Sequence, residues 1–157
     1  MSPFVRKNYL AAGVRTNARV FQSLLANLGE SDSRWDSKPV EGRFSLREIV
    51  AHLVDFDTVS RERFERMIRE DKPELPNWNE NEAAAHYDTR HPIHQLESLL
   101  LSRRELGDWL EGLSQKEWER RATRVNVGEY SVEEGAGLLL AHDAYHLIQI
   151  VEWLEAI

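Results

Sequence analysis

The sequence predicts an all-α fold, an antiparallel-rich four-helix bundle with long connecting loops. Three observations predict it. Four long segments place apolar residues three and four positions apart, as one face of an α-helix requires. Three motifs of the form S-x-x-E, each a capping box, stand where helical segments begin. No useful β-alternation and no internal repeat is visible, so we expect a single domain over residues 1–157.

The first two helices are predicted from their apolar faces. The first is expected from about Pro3 to Leu28. The second should begin at Ser45, where the Ser45 hydroxyl can accept a hydrogen bond from the Glu48 amide while the Glu48 side chain reaches back. The inward face of this second helix consists of Leu46, Ile49, Val50, Leu53, Phe56, Phe64 and Met67. His52 falls on that face or at its edge, because it lies three residues after Ile49 and four before Phe56.

The last two helices follow the same logic. The third is expected from near Pro92 to about Leu113, and a capping box after it, SQKE, predicts a short helical turn. The fourth should open at Ser131 with the box SVEE and continue to the C-terminus. Because it is apolar or small on nearly every side, we expect it to be buried against several neighbours.

The connections at about 29–44, 72–91 and 114–130 are longer than a compact up-and-down bundle needs. They are expected to carry crossovers or to cover one end of the bundle. Each contains a tryptophan, at Trp35, Trp78 and Trp118. Loops with such large apolar residues are expected to pack down on the helices.

Composition excludes several classes of protein. The net charge is −7 and the basic residues alternate with acidic ones, as in SRERFERMIRED, so nucleic acid is not an expected partner. The chain has no cysteine, which excludes disulfides, thiolate metal sites and a cysteine nucleophile. No segment approaches the length of a signal peptide core or a membrane span. We therefore expect a cytoplasmic protein with no membrane partner.

The most informative polar residues are His142 and His146, in an otherwise apolar part of the fourth helix. Residues four apart differ by about 40° around a helix and about 6 Å along it, so both imidazoles point the same way. Burying them is costly unless their nitrogens are satisfied. A divalent metal ion would satisfy them, and His52 is the best candidate for a third ligand. Three protein ligands with an open position for water are typical of catalytic zinc sites.

The spacing alone leaves an alternative open. His142 and His146 could equally be core histidines bonded to the backbone or to tyrosine and glutamine partners. Asp143 stands where the H-E-x-x-H metalloprotease motif has glutamate, and it is expected to point elsewhere, about 100° from the histidine face. Gln149 is expected to be a hydrogen-bond partner behind a histidine, and Trp153 a packing residue.

A second group of histidines, at His86, His91 and His94, lies in a polar segment interrupted by proline. Solvated surface histidines are the expected interpretation of this group.

Three segments resemble the DinB/YfiT-like superfamily: FSLREIVAHLVDFD, RRELGDWLEGL and GEYSVEEGAGLLLAHDAYHLIQI. The resemblance covers the chain from Trp35 to its end. The pattern of that superfamily has one histidine after a short aliphatic run in a capped second helix and H-D-x-x-H-L-x-Q-I in the last helix, and both are intact here. The resemblance implies a four-helix bundle that holds a divalent metal through His52, His142 and His146.

The resemblance also implies chemistry, because the superfamily includes S-transferases and isomerases that use low-molecular-weight thiols such as bacillithiol or mycothiol. We expect a metal-dependent enzyme, S-transferase- or hydrolase-like, that activates a small thiol or water toward a small electrophilic substrate. The metal is expected to be zinc or nickel, with iron and manganese as alternatives. Tyr145 is a candidate general base. Residues 72–95 match no subfamily pattern, and substrate specificity is expected to differ there.

Two other classes of function stay open on the sequence. One is a non-catalytic metal-binding or stress-response protein whose metal stabilises the bundle, and the other is a metal-free helical interaction module. A large solvent-connected pocket at the metal would favour the enzyme. A homodimer is also expected, because the fourth helix is apolar or small at Gly137, Ala141, Ala144 and Ile148, away from its histidines.

Overall fold

The computed structural model describes residues 2–156 and contains the four predicted long helices. The helices are α1 (Pro3–Leu25), α2 (Leu46–Arg69), α3 (Glu80–Ala84), α4 (Pro92–Gly112), α5 (Gln115–Trp118) and α6 (Val132–Ala156). Helix α1 ends three residues before the predicted Leu28, and Phe4 near its start is 67% exposed. The other three long helices begin within about one residue of their predicted starts.

All three capping boxes form. The amide of Glu48 donates to the Ser45 hydroxyl over 3.3 Å, and the amide of Ser45 donates to the Glu48 carboxylate over 2.7 Å. The same reciprocal pair joins Ser131 and Glu134, and another lies in 114–117. Each box satisfies two backbone amides that a helix N-terminus otherwise leaves without a partner. These contacts fix where α2, α5 and α6 begin.

The long helices do not follow a simple up-and-down order. Helices α1 and α2 both pack against α4 and α6, so α1 and α2 lie on a diagonal of the bundle. Helix α4 runs antiparallel to α1, since Lys7 near the start of α1 donates to the carbonyl of Leu113, just past the end of α4. It runs parallel to α2, where Asp57 contacts Ser102 and Arg61 lies over the Trp109 ring.

Helix α6 completes the bundle with one parallel and one antiparallel neighbour. It runs parallel to α1, because Arg6 pairs with Glu133 and Asn17 bonds Asp143. It runs antiparallel to α2, as the contact of Phe64 with Gly135 indicates. The expectation of an antiparallel-rich bundle is therefore only half right. The parallel pairing of α2 with α4 requires the chain to return along the bundle, which is why the connection between them is long.

The sequence did not predict two elements, the short helix α3 and a small three-stranded sheet. Strands β1 (Glu74–Leu75), β2 (Arg121–Arg124) and β3 (Gly128–Ser131) lie in the order β1-β2-β3. Strand β1 is parallel to β2, and β2 and β3 form an antiparallel hairpin. Strands of two to four residues are too short for alternation to show in the sequence, so no pattern indicated them. The sheet joins two of the long connections.

The expected packing of the loops is confirmed. Trp35 and Trp118 are fully buried, and their indole N–H groups donate to the carbonyls of Gly29 and Leu110. Trp118 belongs to one of two buried hydrophobic clusters, with Phe64, Met67 and Leu106, and Trp35 to the other. Within residues 2–156, no helix is both long and apolar enough to serve as a transmembrane span.

Candidate metal centre

The structure brings the three predicted histidines together. The antiparallel packing of α2 and α6 places His52 opposite His142 and His146. We call these three residues the histidine cluster. Each offers one ring nitrogen that lies within 4.8 Å of the other two. The Nε2 atoms of His52 and His142 are 2.9 Å apart. His52 and His146 are buried and His142 is half-buried.

The three imidazoles are neutral at physiological pH. Burial lowers the pKa of His52 to about 3, and the positive charge that His146 would carry adds to the effect. Burial together with the other two histidines lowers the pKa of His142 to about 2, and burial also lowers the pKa of His146. A neutral imidazole keeps one ring nitrogen lone pair for a ligand, which is the form that metals bind.

The donor set fits a metal ion. Two imidazole nitrogens bound at about 2.0–2.1 Å to one zinc-like ion lie about 2.9–3.4 Å apart when the angle between the bonds is about 90–110°. The separation of 2.9 Å between His52 and His142 falls in this range. The alternative of ordinary core histidines requires protein partners for the rings. Among the described residues, Nδ1 of His52 and Nδ1 of His142 are buried without a hydrogen-bond partner.

His146 differs because its Nδ1 has a partner. The Nδ1–H group donates to the side-chain carbonyl of Gln149 over 3.1 Å, and both residues are buried. This bond fixes the tautomer that carries its proton on Nδ1, so the lone pair on Nε2 stays free. Gln149 therefore lies where the sequence placed it, behind a histidine. Trp153, expected to be a packing residue, is buried and donates to the carbonyl of Phe44.

Aromatic rings hold two of the imidazoles in place. Phe56 of α2 stacks on His142, with ring centroids 3.8 Å apart and 15° between the planes. Trp78, in the loop before α3, stacks on His52 at 5.6 Å. Phe56 was predicted only as a core residue, and Trp78 only as a loop residue that packs down. Their contacts with the histidines restrict ring rotation, which pre-orients the nitrogens.

A solvent-connected pocket of about 380 Å³ opens onto the histidine cluster. We call it the site pocket, and its lining consists of Gly42, Arg43, Phe44, His52, Glu80, His142, Tyr145, His146 and Gln149. Two of its charged residues, Arg43 and Glu80, come from the long connections and were missed by the sequence reasoning. Neither lies in a periodic segment or a motif, so no sequence signal pointed to them.

The charged residues of the site pocket have defined surroundings. Arg43 donates to the hydroxyl of Tyr145 over 3.2 Å, and its guanidinium lies 4.7 Å from the centre of the Trp153 ring. The half-exposed carboxylate of Glu152 lies 3.7 Å from the same guanidinium. The carboxylate of Glu80 lies 3.6 Å from Nδ1 of His52, just beyond hydrogen-bond distance. One cation and one carboxylate thus line the pocket beside the histidines, and they come from two different connections, those at 29–44 and 72–91.

Asp143 points away from the cluster, as predicted, into a buried polar network. Arg103 donates two hydrogen bonds of 2.6 Å to Asp143 and one of 2.5 Å to Asp57. Asn17 also donates to Asp143, over 3.0 Å. Each of the four long helices, α1, α2, α4 and α6, contributes one residue to this network. It anchors α6 directly beside His142. Sequence reasoning missed it, although an aspartate inside an apolar helix is a signal for a buried partner.

The other histidines lie outside the cluster. His86 and His94 are exposed, as expected. His91 is half-buried and caps α4: its Nδ1 accepts from the amide of His94, while its Nε2–H donates to Glu30 over 2.6 Å. Because the lone pair on Nδ1 accepts a hydrogen bond and Nε2 carries the proton, His91 has no free ring nitrogen for a metal.

A helical bundle with a buried three-histidine cluster at an open pocket defines the class of protein. The family model of the DinB superfamily matches residues 14–150, and the chain belongs to this superfamily. The predicted family and the predicted four-helix-bundle fold are both confirmed.

Three similar proteins are informative. A protein from Oceanobacillus iheyensis, provisionally named a metal-dependent hydrolase, is 26% identical over 121 residues, which are 76% of this chain and 70% of that protein. YfiT from Bacillus subtilis, described as a probable metal-dependent hydrolase with an unusual four-helix bundle topology, superposes with a TM-score of 0.88. It is 20% identical, and the match covers 98% of this chain and 87% of YfiT.

The third is a mycothiol-dependent maleylpyruvate isomerase, which superposes with a TM-score of 0.75 at 13% identity. The match covers 96% of this chain but only 63% of the isomerase. The bundle of this chain therefore corresponds to a part of that larger protein.

Proposed function

We propose that this protein is a metal-dependent enzyme in which His52, His142 and His146 bind one divalent metal ion. The observation that carries the proposal is the opening of three neutral imidazoles, two buried and one half-buried, onto a solvent-connected pocket of about 380 Å³. The names of two similar proteins, both described as metal-dependent hydrolases, support the same class of activity. The substrate would be a small electrophilic molecule.

The open pocket favours catalysis over a structural role for the metal. Structural zinc sites are closed by four protein ligands, whereas catalytic sites use three and leave a position for water or substrate. Within residues 2–156, the histidine cluster contains three possible ligands and no carboxylate or cysteine that completes a fourth. The non-catalytic metal-binding protein is thus the second candidate, and a metal-free interaction module is the third.

When bound, the metal would lower the pKa of a water or thiol so that hydroxide or thiolate forms near neutral pH. The residues of the site pocket would orient the reactants. Arg43, fixed by the Trp153 ring and the Tyr145 hydroxyl, would attract a negatively charged part of the substrate. The Glu80 carboxylate can accept a proton within the pocket. It is an alternative to Tyr145 as general base, since the Tyr145 hydroxyl oxygen already accepts from Arg43.

Zinc or nickel remains our proposal for the metal, because imidazole nitrogen without thiolate suits both. Iron, which imidazole also suits, and manganese are the alternatives. For the nucleophile, two proposals stand. Water would give a hydrolase, in line with the names of two similar proteins, and a small thiol would give a transferase or isomerase, in line with the mycothiol-dependent enzyme. A thiol must come from outside, because the chain has no cysteine.

We also propose that the protein is a homodimer. Along α6, Ala141, Ala144 and Ile148 are exposed, and so is the neighbouring Leu138. Leu138 and Ile148 are 49% and 55% exposed, and a second copy could cover this stripe.

The test of the enzymatic proposal uses protein purified without a nickel column and loaded with cobalt, whose visible spectrum reports its ligands. Glutathione, bacillithiol and mycothiol are titrated at millimolar concentration, and then mixed with generic electrophiles and with simple esters. We expect a spectral change with a thiol, or ester hydrolysis without one, and loss of either in His146→Ala. His94→Ala, an exposed histidine, is the control and should behave like the wild type. If there is neither a spectral change nor turnover, the enzymatic proposal is wrong, and the protein is better described as a non-catalytic metal-binding protein.

A further inference from the structure

We propose that the protein has a second ligand site, separate from the histidine cluster, which binds an oxyanion group, the carboxylate or phosphate of a small molecule. The site is a narrow cleft between α2, the β2–β3 hairpin and α6. We call it the arginine cleft, and its lining consists of Phe56, Ser60, Arg63, Phe64, Arg124, Tyr130, Gly135, Leu138 and Leu139. The inference does not depend on the proposed function.

The arginine cleft combines hydrogen-bond donors with no charged acceptor. Its polar side chains are two guanidinium groups, Arg63 and Arg124, and two hydroxyls, Ser60 and Tyr130. No carboxylate is among its lining residues within the described chain. In a protein of net charge −7, a cleft lined by two cations and no acid is a local exception that calls for an anionic partner.

Arg63 is the central residue because it is only 9% exposed and has no acidic partner. Its guanidinium donates one hydrogen bond, to the carbonyl of Pro76 over 3.3 Å. In the described part of the chain, neither Arg63 nor Arg124 has a carboxylate within 4.0 Å, and no hydrogen bond engages the hydroxyl of Ser60 or Tyr130.

Two other arginines of this chain, which have a structural role, form ion pairs with carboxylates. Arg103, fully buried, is paired with two aspartates. Arg121, three residues before Arg124 on the same strand, pairs with Glu129 and Glu134. Across the described residues, the arginines of the cleft lack such acidic partners. Arg120 is likewise without one there, but it donates to two backbone carbonyls, whereas Arg63 donates to only one.

The electrostatic situation of Arg63 is unfavourable without a ligand. Burial lowers the pKa of Arg63, and the nearby positive charge of Arg124 lowers it further, while Tyr130 and the neighbouring Glu62 offset only part of this effect. A buried charge is tolerated when an opposite charge and hydrogen bonds compensate for lost hydration. An oxyanion between the two guanidinium groups would supply both, since the planar donor fork of arginine matches carboxylate and phosphate oxygens.

The size of the cleft restricts its ligand. Its volume of about 30 Å³ admits roughly two water-sized atoms, such as the oxygens of one carboxylate or of one edge of a phosphate. Phe56, Phe64 and Leu139 form apolar walls, which exclude water and strengthen a charge-assisted hydrogen bond. The Phe56 ring also stacks on His142, so it separates the arginine cleft from the histidine cluster.

The experiment measures binding of inorganic phosphate and, separately, of acetate by calorimetry in low-salt buffer free of other oxyanions. We expect one site per chain for at least one of them, and the stronger binder identifies the ligand class. Arg124→Gln should weaken that binding by at least about tenfold, equal to about 1.4 kcal/mol. Tyr130→Phe, which removes only a hydroxyl, should weaken it several-fold. Arg121→Gln is the matched control, since it removes one positive charge from the same strand outside the cleft, and its binding should match the wild type.

Two further measurements complete the test. The first shows whether the anion binds at the arginine cleft or at the histidine cluster, and the second shows whether Arg124 binds a ligand or has only a structural role. His146→Ala should bind the anion like the wild type, because a metal at the histidine cluster would not be the receptor. The anion should raise the melting temperature of the wild type but not that of Arg124→Gln. The proposal is overturned if neither anion binds at tens of millimolar, if Arg124→Gln and Arg121→Gln bind equally, or if His146→Ala abolishes binding.

Discussion

Arg103 of α4 donates two parallel hydrogen bonds to Asp143 of α6, the residue that directly follows His142. Both side chains are fully buried. The same guanidinium also binds Asp57 of α2, so one cation compensates two buried carboxylates. Because Asp143 is next to His142 on α6, this pair fixes the rotation of the helix that carries two members of the histidine cluster.

The first prediction is that Arg103→Ala lowers the free energy of unfolding by about 3–5 kcal/mol, because it leaves buried carboxylates without a countercharge. Urea denaturation followed by circular dichroism measures the change. Arg104→Ala is the control, since Arg104 is exposed on the same helix, and should change stability by less than about 0.5 kcal/mol. Equal stability of the two variants would show that the network contributes little.

The second prediction concerns metal content. Wild-type protein purified without a nickel column should contain about one equivalent of a divalent transition metal, because three neutral imidazoles converge on one point. Elemental analysis should find the metal lost in His142→Ala and retained in His94→Ala. If the double variant His52→Ala, His142→Ala still holds one equivalent, the metal lies elsewhere and the proposed site is wrong.

The third prediction tests the bond from His146 to Gln149. Gln149→Leu removes the acceptor that fixes the His146 tautomer and should weaken metal affinity by about 10–100-fold. Gln149→Glu keeps an acceptor at this position and should retain affinity. Competition with a chromophoric chelator measures both. Equal loss in the two variants would point to packing, not to the hydrogen bond, as the role of Gln149.

The fourth prediction concerns the exposed stripe on α6. If the protein is a homodimer through this stripe, Ile148→Lys should produce a monomer of about half the mass, because a buried unpaired charge opposes association. Leu101→Lys, a similarly exposed leucine on α4, is the control and should leave the dimer intact. Sedimentation at tens of micromolar distinguishes these states. A wild-type monomer under those conditions removes the prediction.

Local sequence signals determined the four long helices of this protein and the short helix α5. The capping boxes at Ser45, Ser114 and Ser131 and the helical spacing of apolar residues placed the helix boundaries to within about three residues. These signals work because a capping box and an apolar stripe act over one to a few turns of the same helix. The same periodicity placed His142 and His146 on one face and His52 on, or at the edge of, the inward face of the second helix. The resemblance to the superfamily then implied that all three bind one metal.

Only the tertiary structure decided which distant residues meet. The parallel pairing of α2 with α4 follows from the long connection and the packing of the whole bundle, not from either helix alone. Arg43 and Trp78 reach the histidines from loops, and Glu80 reaches them from the short helix α3. No apolar periodicity in these connections relates position to direction. The partners of Arg103, and the absence of any acidic partner for Arg63 among the described residues, likewise depend on contacts between segments far apart in the chain. Fixed spacing encodes ion pairs within one helix, such as the i,i+4 pair of Arg61 and Glu65. Pairs between distant segments depend on three-dimensional proximity, which no fixed spacing encodes.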